Sequence, residues 1–179
     1  MNKSIIGLVV STLFMVANVH AEDTSAVVSI AGSVTGSADI TASCTVNVSK
    51  TMINLSTDVT NLREQGTAEL PSETIQLTMS GDQGCEDLIL AGRIAYKFTG
   101  VADEATGEVL ANTDTSEEAA QGVGVGLYDF SGNAVDLDDN TYNATVAAAI
   151  LGFNLVKLTG QTPTQGNVKS ALTIEVERL

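Results

Sequence analysis

The chain has 179 residues, 44% of them hydrophobic, and carries 22 acidic side chains against eight basic ones, a formal net charge of −14. That length suits one domain with a real core, and that charge is repelled by nucleic acid and by anionic lipid surfaces. There is no tryptophan and a single histidine, His20, which lies in a segment expected to be removed.

That segment comes first. Lys3 gives a basic start, residues 5–16 form an apolar run, and "ANVHA" ends on small Ala21. We read residues 1–21 as a secretory signal peptide cleaved after Ala21, its apolar core too short to span a bilayer. Cleavage takes Lys3 and His20 with it, leaving seven basic against 22 acidic side chains, a net charge of −15, and no histidine. A Ser–His–Asp triad, a Cys–His pair or a histidine-ligated zinc site cannot then be built. The expectation is a soluble exported protein, not an enzyme, with no cofactor and no nucleic-acid partner.

Strands dominate the exported chain. "VVSIAGSVTG" (27–36) alternates Val28, Ile30, Gly32 and Val34 with Ser29, Ala31 and Ser33, the period of a strand. Its apolar face contains a glycine, which has nothing to bury. "ITASCTVNVS" (40–49) is rich in Thr and Val and holds Cys44; the other cysteine is Cys85. In an exported chain an isolated, widely spaced pair is expected to form one structural disulfide, worth roughly 4 kcal/mol of unfolded-chain entropy for a loop of this length. "ETIQLTMS" (73–80) and "RIAYKFTG" (93–100) place Ile75, Leu77, Met79 and Ile94, Tyr96, Phe98 on single faces. "GVGVGLYDF" (122–130) alternates valine and leucine with glycine before turning at "SGN". "ATVAAAILGFNLVKL" (144–158) opens with alanines that favour helix and ends like a strand. Residues 150–158 are assigned to strand and 144–149 left open. The last strand, "NVKSALTIEVERL", lines Val168, Ser170, Leu172, Ile174 and Val176 on one face. Short strands separated by turn-rich stretches such as "STDVTNLREQGT" and "NTDTSEEAAQG" predict a single β-sandwich.

Chemical sites are hard to find. Asp136, Asp138 and Asn140 match the first ligand positions of a calcium loop, but Thr141 and Ala147 stand where its glycine and glutamate belong. Glu117–Glu118 and Glu86–Asp87 read as solvated carboxylates, and "GVGVG" lacks the spacing of a phosphate loop. Asn47, Asn54 and Asn143 begin N-x-S/T triplets, which chance alone supplies often. No metal site is expected.

The distinctive features are the two ends. An alternating strand opens the exported chain and another closes it at Leu179. Such edges either pair within one domain or are offered to a neighbour, since strand addition to an open sheet edge is a known recognition mode.

Along most of its length the exported sequence resembles a type 1-like pilin subunit of the chaperone–usher pathway. "VSIAGSV" resembles the family's N-terminal donor strand, and Cys44 and Cys85 fall where its single disulfide sits. "KFTGVAD" and "GVGVGLYDFSGNAVDL" are similar to its middle segments, and "PTQGNVKSALTIEVERL" to its C-terminal signature, with Gly166 fourteenth from the end. The resemblance implies an all-β, incomplete immunoglobulin-like β-sandwich completed by a donor strand from a neighbouring subunit. It divides the exported chain into a donor-strand extension, 22–36, and a pilin domain, 37–179. It makes Ala26, Val28, Ile30, Gly32 and Val34 the inserted residues, with Gly32 at a shallow point of the groove. It makes Gly166, Leu172, Ile174, Val176, Arg178 and Leu179 the C-terminal strand that meets chaperone and donor. Arg178 departs from the pattern, standing where the family usually has an aromatic residue.

The implied function is a structural fimbrial subunit that polymerises by donor-strand exchange and supports cell adhesion. It would be exported through the periplasm to the cell surface, with a periplasmic chaperone, an outer-membrane usher and other pilin subunits as partners. The alternative is a minor or tip-associated subunit acting as a glycan-binding module for a host receptor.

Overall fold

The structure is a computed structural model that describes residues 25–33, 42–137 and 142–179. The expected signal peptide, Val34, and Asp138, Asn140 and Thr141 of the rejected calcium loop lie outside the described residues. In chain order the elements are β1 (Ser25–Ser33), β2 (Cys44–Val48), β3 (Met52–Ser56), β4 (Arg63–Glu64), β5 (Glu73–Gly81), α1 (Gln83–Leu90) and β6 (Ile94–Gly100). They continue with β7 (Leu110–Ala111), β8 (Val123–Tyr128), β9 (Ala134–Val135), β10 (Tyr142–Asn143), β11 (Ala149–Lys157) and β12 (Val168–Arg178).

Two sheets pack face to face. One has the order β10-β6-β12-β1-β3, the other β2-β5-β11-β8-β7, with β4 alongside β11 and β9 alongside β8. Alternation explains the facing surfaces. Ile75, Leu77 and Met79 of β5 and Val168, Leu172 and Ile174 of β12 are buried, while Thr74, Gln76, Lys169 and Ala171 between them are exposed. Ile53 and Leu55, Tyr96 and Phe98, and Val125, Leu127, Leu151 and Phe153 fill the same core. The fold is an all-β immunoglobulin-like sandwich: the strand spacing predicts the sandwich and the resemblance its immunoglobulin-like class.

β8 is buried along its whole length and β11 from Leu151 to Val156, so alternation alone understates them. Their outward faces are covered by loops: Val109, Tyr128, Val156 and Leu158 form a second, smaller apolar cluster. Gly152 permits this close cover, since a Cβ there would lie 2.3 Å from the Pro71 ring.

Three local outcomes lie where the sequence reading assigned no element or left the choice open. Residues 83–90, where Glu86–Asp87 reads as a solvated pair beside an apolar run, form a helix. Asp82 caps it, accepting from the Cys85 N–H at 3.0 Å, and Gly92 at φ 63° ends it with left-handed backbone. Met52–Ser56, unassigned from sequence, is a strand, because β2 leaves one sheet at residues 49–51 and the chain re-enters the other as β3. Residues 145–148 do not form a helix despite their alanines: Ala144 is buried, 145–148 are exposed, and pairing of Ala149 with Leu77 starts β11 one residue earlier than expected.

β1 lies inside its own molecule. It runs parallel to β12, with Ala26, Val28, Ile30 and Gly32 in register with Val168, Ser170, Leu172 and Ile174. It runs antiparallel to β3, with Ala26 opposite Leu55 and Val28 opposite Ile53.

Candidate functional site

The seam between β12 and β3 brings together most of the residues singled out at the two ends of the chain. Leu172 and Ile174 present fully buried side chains from β12, and Ile53 and Leu55 do so from β3. Ser170, the polar residue in that row, is buried and satisfied: its hydroxyl donates to the Ala111 carbonyl at 2.6 Å. Val176 and Arg178 are half-buried, and Leu179 is exposed with its N–H donating to the Arg93 carbonyl at 3.0 Å. Between these walls β1 supplies the backbone that neither could reach alone. β3 begins at Met52, opposite Ser29, so residues 30–33 of β1 have β12 alone as a strand neighbour among the described residues.

The lower end of the seam is tied to the disulfide. Cys44 and Cys85 are bonded, with Cα atoms 5.4 Å apart, joining the first residue of β2 to the first turn of α1. Asp82 knits the same corner. One carboxylate oxygen accepts from the Cys85 N–H and the other from the Ser43 N–H, each at 3.0 Å, while its own N–H donates to the Ser43 carbonyl. The Ser43 and Cys85 N–H groups hold its pKa below the usual carboxylate value. Arg178 reaches this corner from β12: its Nη2 donates to the Ala42 carbonyl at 2.6 Å. The guanidinium thus fastens β12 to the backbone just before Cys44.

Gly166 works by close approach. A Cβ there would lie 2.4 Å from the Ala120 nitrogen and the Glu118 carbonyl oxygen, and Asn167 next to it exchanges hydrogen bonds with those two residues. Asn112 completes the junction, its amide donating to the Ala120 and Asn167 carbonyls and its oxygen accepting from the Asp114 and Lys169 N–H groups. Together they fix where β12 begins.

Sequence reasoning missed Asp82 and Asn112, and it placed Tyr96 on a strand face without marking its hydroxyl. The first was legible as an Asp three residues before Cys85 and ten before Gly92, the start and stop signals of a short helix. Asn112 is marked locally only by an Asx turn to Asp114; its partners Asn167 and Lys169 are more than fifty residues away. Tyr96 is fully buried with a hydroxyl that has no hydrogen-bond partner among the described residues, and burial, with Tyr142 beside it, pushes its pKa up to about 12. The Tyr142 hydroxyl, by contrast, donates to the Ile150 carbonyl.

No chemistry gathers elsewhere among the described residues. No three His, Cys, Asp or Glu side chains among them lie close enough to hold a metal ion. Glu117, Glu118, Glu86 and Asp87 are exposed.

The geometry defines a two-sheet sandwich whose strand β12 is flanked by β1 and which is stapled by one disulfide. The family model for fimbrial proteins matches residues 28–177, and the chain belongs to that family. This agrees with its resemblance to type 1-like pilins. Among curated proteins no significant match is found.

Proposed function

We propose that this fimbrial subunit polymerises by donor-strand exchange, its first strand completing the sheet of a neighbouring copy in a surface fimbria that supports cell adhesion. The observation that carries this reading is the origin of the strand beside β12. A sandwich closed by a hairpin from β12 would place an antiparallel strand there; instead the place is taken by β1, from the opposite end of the described chain. Among the described residues β1 is the first element and is followed by the rest of the fold, so it can leave without any other described strand losing its connection. A strand from another copy would meet the same hydrogen-bonding edges and the same row of buried side chains, Leu172, Ile174, Ile53 and Leu55. In this reading a periplasmic chaperone holds the seam before assembly, an outer-membrane usher delivers the subunit, and Ala26, Val28, Ile30, Gly32 and Val34 are the donated positions.

Full burial of three aliphatic side chains such as Val28, Ile30 and Val34 in a neighbour contributes up to about 5–9 kcal/mol, before backbone hydrogen bonds at about 1 kcal/mol each. Such a joint resists detergent until heated. Surface material run unboiled is therefore expected to give a ladder that collapses to one band on boiling. A lone monomer band under both conditions overturns the reading.

A further inference from the structure

A cleft of about 500 Å³ opens where β6, β7 and β11 end and β8 begins. That is within the roughly 300–1,000 Å³ of small-molecule sites. Buried Ala120, Val123 and Leu158 give it an apolar base, and Val101, 61% exposed, stands at its rim. The backbone around it is held firmly. Asp103 ties the β6–β7 loop through three N–H groups, and Asn112 spends its side chain on the approach to β12. Gln121 donates its N–H to the Thr164 hydroxyl and accepts the Thr164 N–H at its carbonyl. Other polar ends on the cleft are uncommitted. The exposed side chains of Glu104, Thr115 and Gln161 make no hydrogen bond or ion pair with the described residues. The Gln121 amide makes one long bond, 3.4 Å, to the Ala119 carbonyl. An apolar base ringed by a few unpaired polar groups on fixed backbone is the make-up of a ligand site.

The lining selects against charge. It contains no Lys or Arg, and the whole chain is strongly negative, so anions are repelled. A cation finds little to pair with, since Glu104 is the one lining carboxylate not engaged in the fold. Hydroxyl groups suit it, because a hydroxyl both donates and accepts, as the glutamine amides and the Thr115 hydroxyl do. We propose that this cleft binds a short, uncharged saccharide. The C–H face of a pyranose ring lies against Val101 and Leu158, and its hydroxyls pair with Gln121, Gln161, Thr115 and Glu104. Asp103 is engaged in its loop, so the site holds a ligand and does not convert it. The inference goes beyond strand exchange and is independent of it: no residue of β1, β3 or β12 lines the cleft, so a strand in the seam does not fill it. In a fibre the cleft recurs in every copy, and such repetition strengthens weak single-site binding by about 10²–10⁴.

The test uses the purified subunit, biotinylated and clustered on streptavidin so that weak binding registers. It is applied to an array of neutral, sialylated and sulfated glycans, and the best-bound neutral glycan is then titrated into the monomer by NMR. The Gln121→Ala/Gln161→Ala variant and, separately, Glu104→Ala are expected to lower the affinity at least tenfold. Their thermal unfolding midpoints should match wild type, because all three side chains are exposed. If the double variant does not fold, Glu104→Ala decides alone. Neutral-glycan binding that the variants leave unchanged puts the site elsewhere and overturns the proposal. A preference for sialylated or sulfated glycans overturns it too, as does an array with no binding at all. None of these results bears on the detergent ladder, so the cleft and the donor-strand reading stand or fall separately.

Discussion

Asp103 shows how much a single side chain can organise. It is buried, and its carboxylate accepts from the N–H groups of Ala105, Thr106 and Val109, closing the loop between β6 and β7. Burial pushes its pKa up, but those three donors, Thr106 foremost, outweigh burial and hold it below the usual value. A carboxylate with a lowered folded pKa contributes stability that is present above its unfolded pKa of about 3.9 and is lost as pH falls through the folded one. Replacing Asp103 with alanine leaves buried N–H groups unpaired and is expected to cost about 1–3 kcal/mol, read as a lower denaturant midpoint at pH 7. The difference from wild type should shrink as pH drops below 4. An alanine variant as stable as wild type at pH 7 removes Asp103 from this role. Asp82 shares the direction of pH dependence, through the Ser43 and Cys85 N–H groups, and its loss should loosen the start of α1.

Elements carry the next level of stability. The 41-residue separation between Cys44 and Cys85 encloses β2, β3, β4 and β5, so the bond restrains much of the sandwich that the seam depends on. Replacing both cysteines with serine is expected to cost about 4 kcal/mol in the chain-entropy model and to lower subunit yield in the periplasm. Thermal unfolding of the double variant checks it: an unchanged midpoint would falsify a structural role for the bond. At this scale the long strands β5, β6, β8 and β12 were legible because their side chains alternate over six or more residues, whereas β11 was legible as an apolar run. β3 was not, since five residues of alternation carry little signal and its place in the other sheet follows from the bend at 49–51. The helix was hidden for a different reason. Its eight residues fall below the span over which a helical period stands out, and only its caps announce it.

Charge belongs to the whole molecule. With 22 acidic against eight basic side chains, the surface is negative at neutral pH, and described ion pairs such as Lys50–Glu73 and Lys97–Glu177 engage few of those carboxylates. Exposed pairs of this kind contribute at most about 1 kcal/mol each, so the net charge acts mainly as repulsion between copies. Acidification neutralises the carboxylates and removes that repulsion. Solubility of the monomer should pass through a minimum near pH 4, and light scattering across pH 3–8 is the measurement. A monomer equally soluble throughout that range shows that charge is not what keeps copies apart.

Composition and periodicity by themselves determined the all-β class, the faces of the long strands and the pairing of the two cysteines. Each of these follows from local pattern or from having only one possible partner. The tertiary structure alone decided which strand lies beside which, and in which direction. Alternation in 27–36 says that one face is apolar but not what it faces, because every strand edge offers the same backbone donors and acceptors. Pairing Ala26 with Val168 joins opposite ends of the chain, and its parallel sense follows from the path of everything between them. The same holds for Arg178: its charge is plain in the sequence, but its partner, the Ala42 carbonyl, exists only once the last strand lies across the disulfide corner.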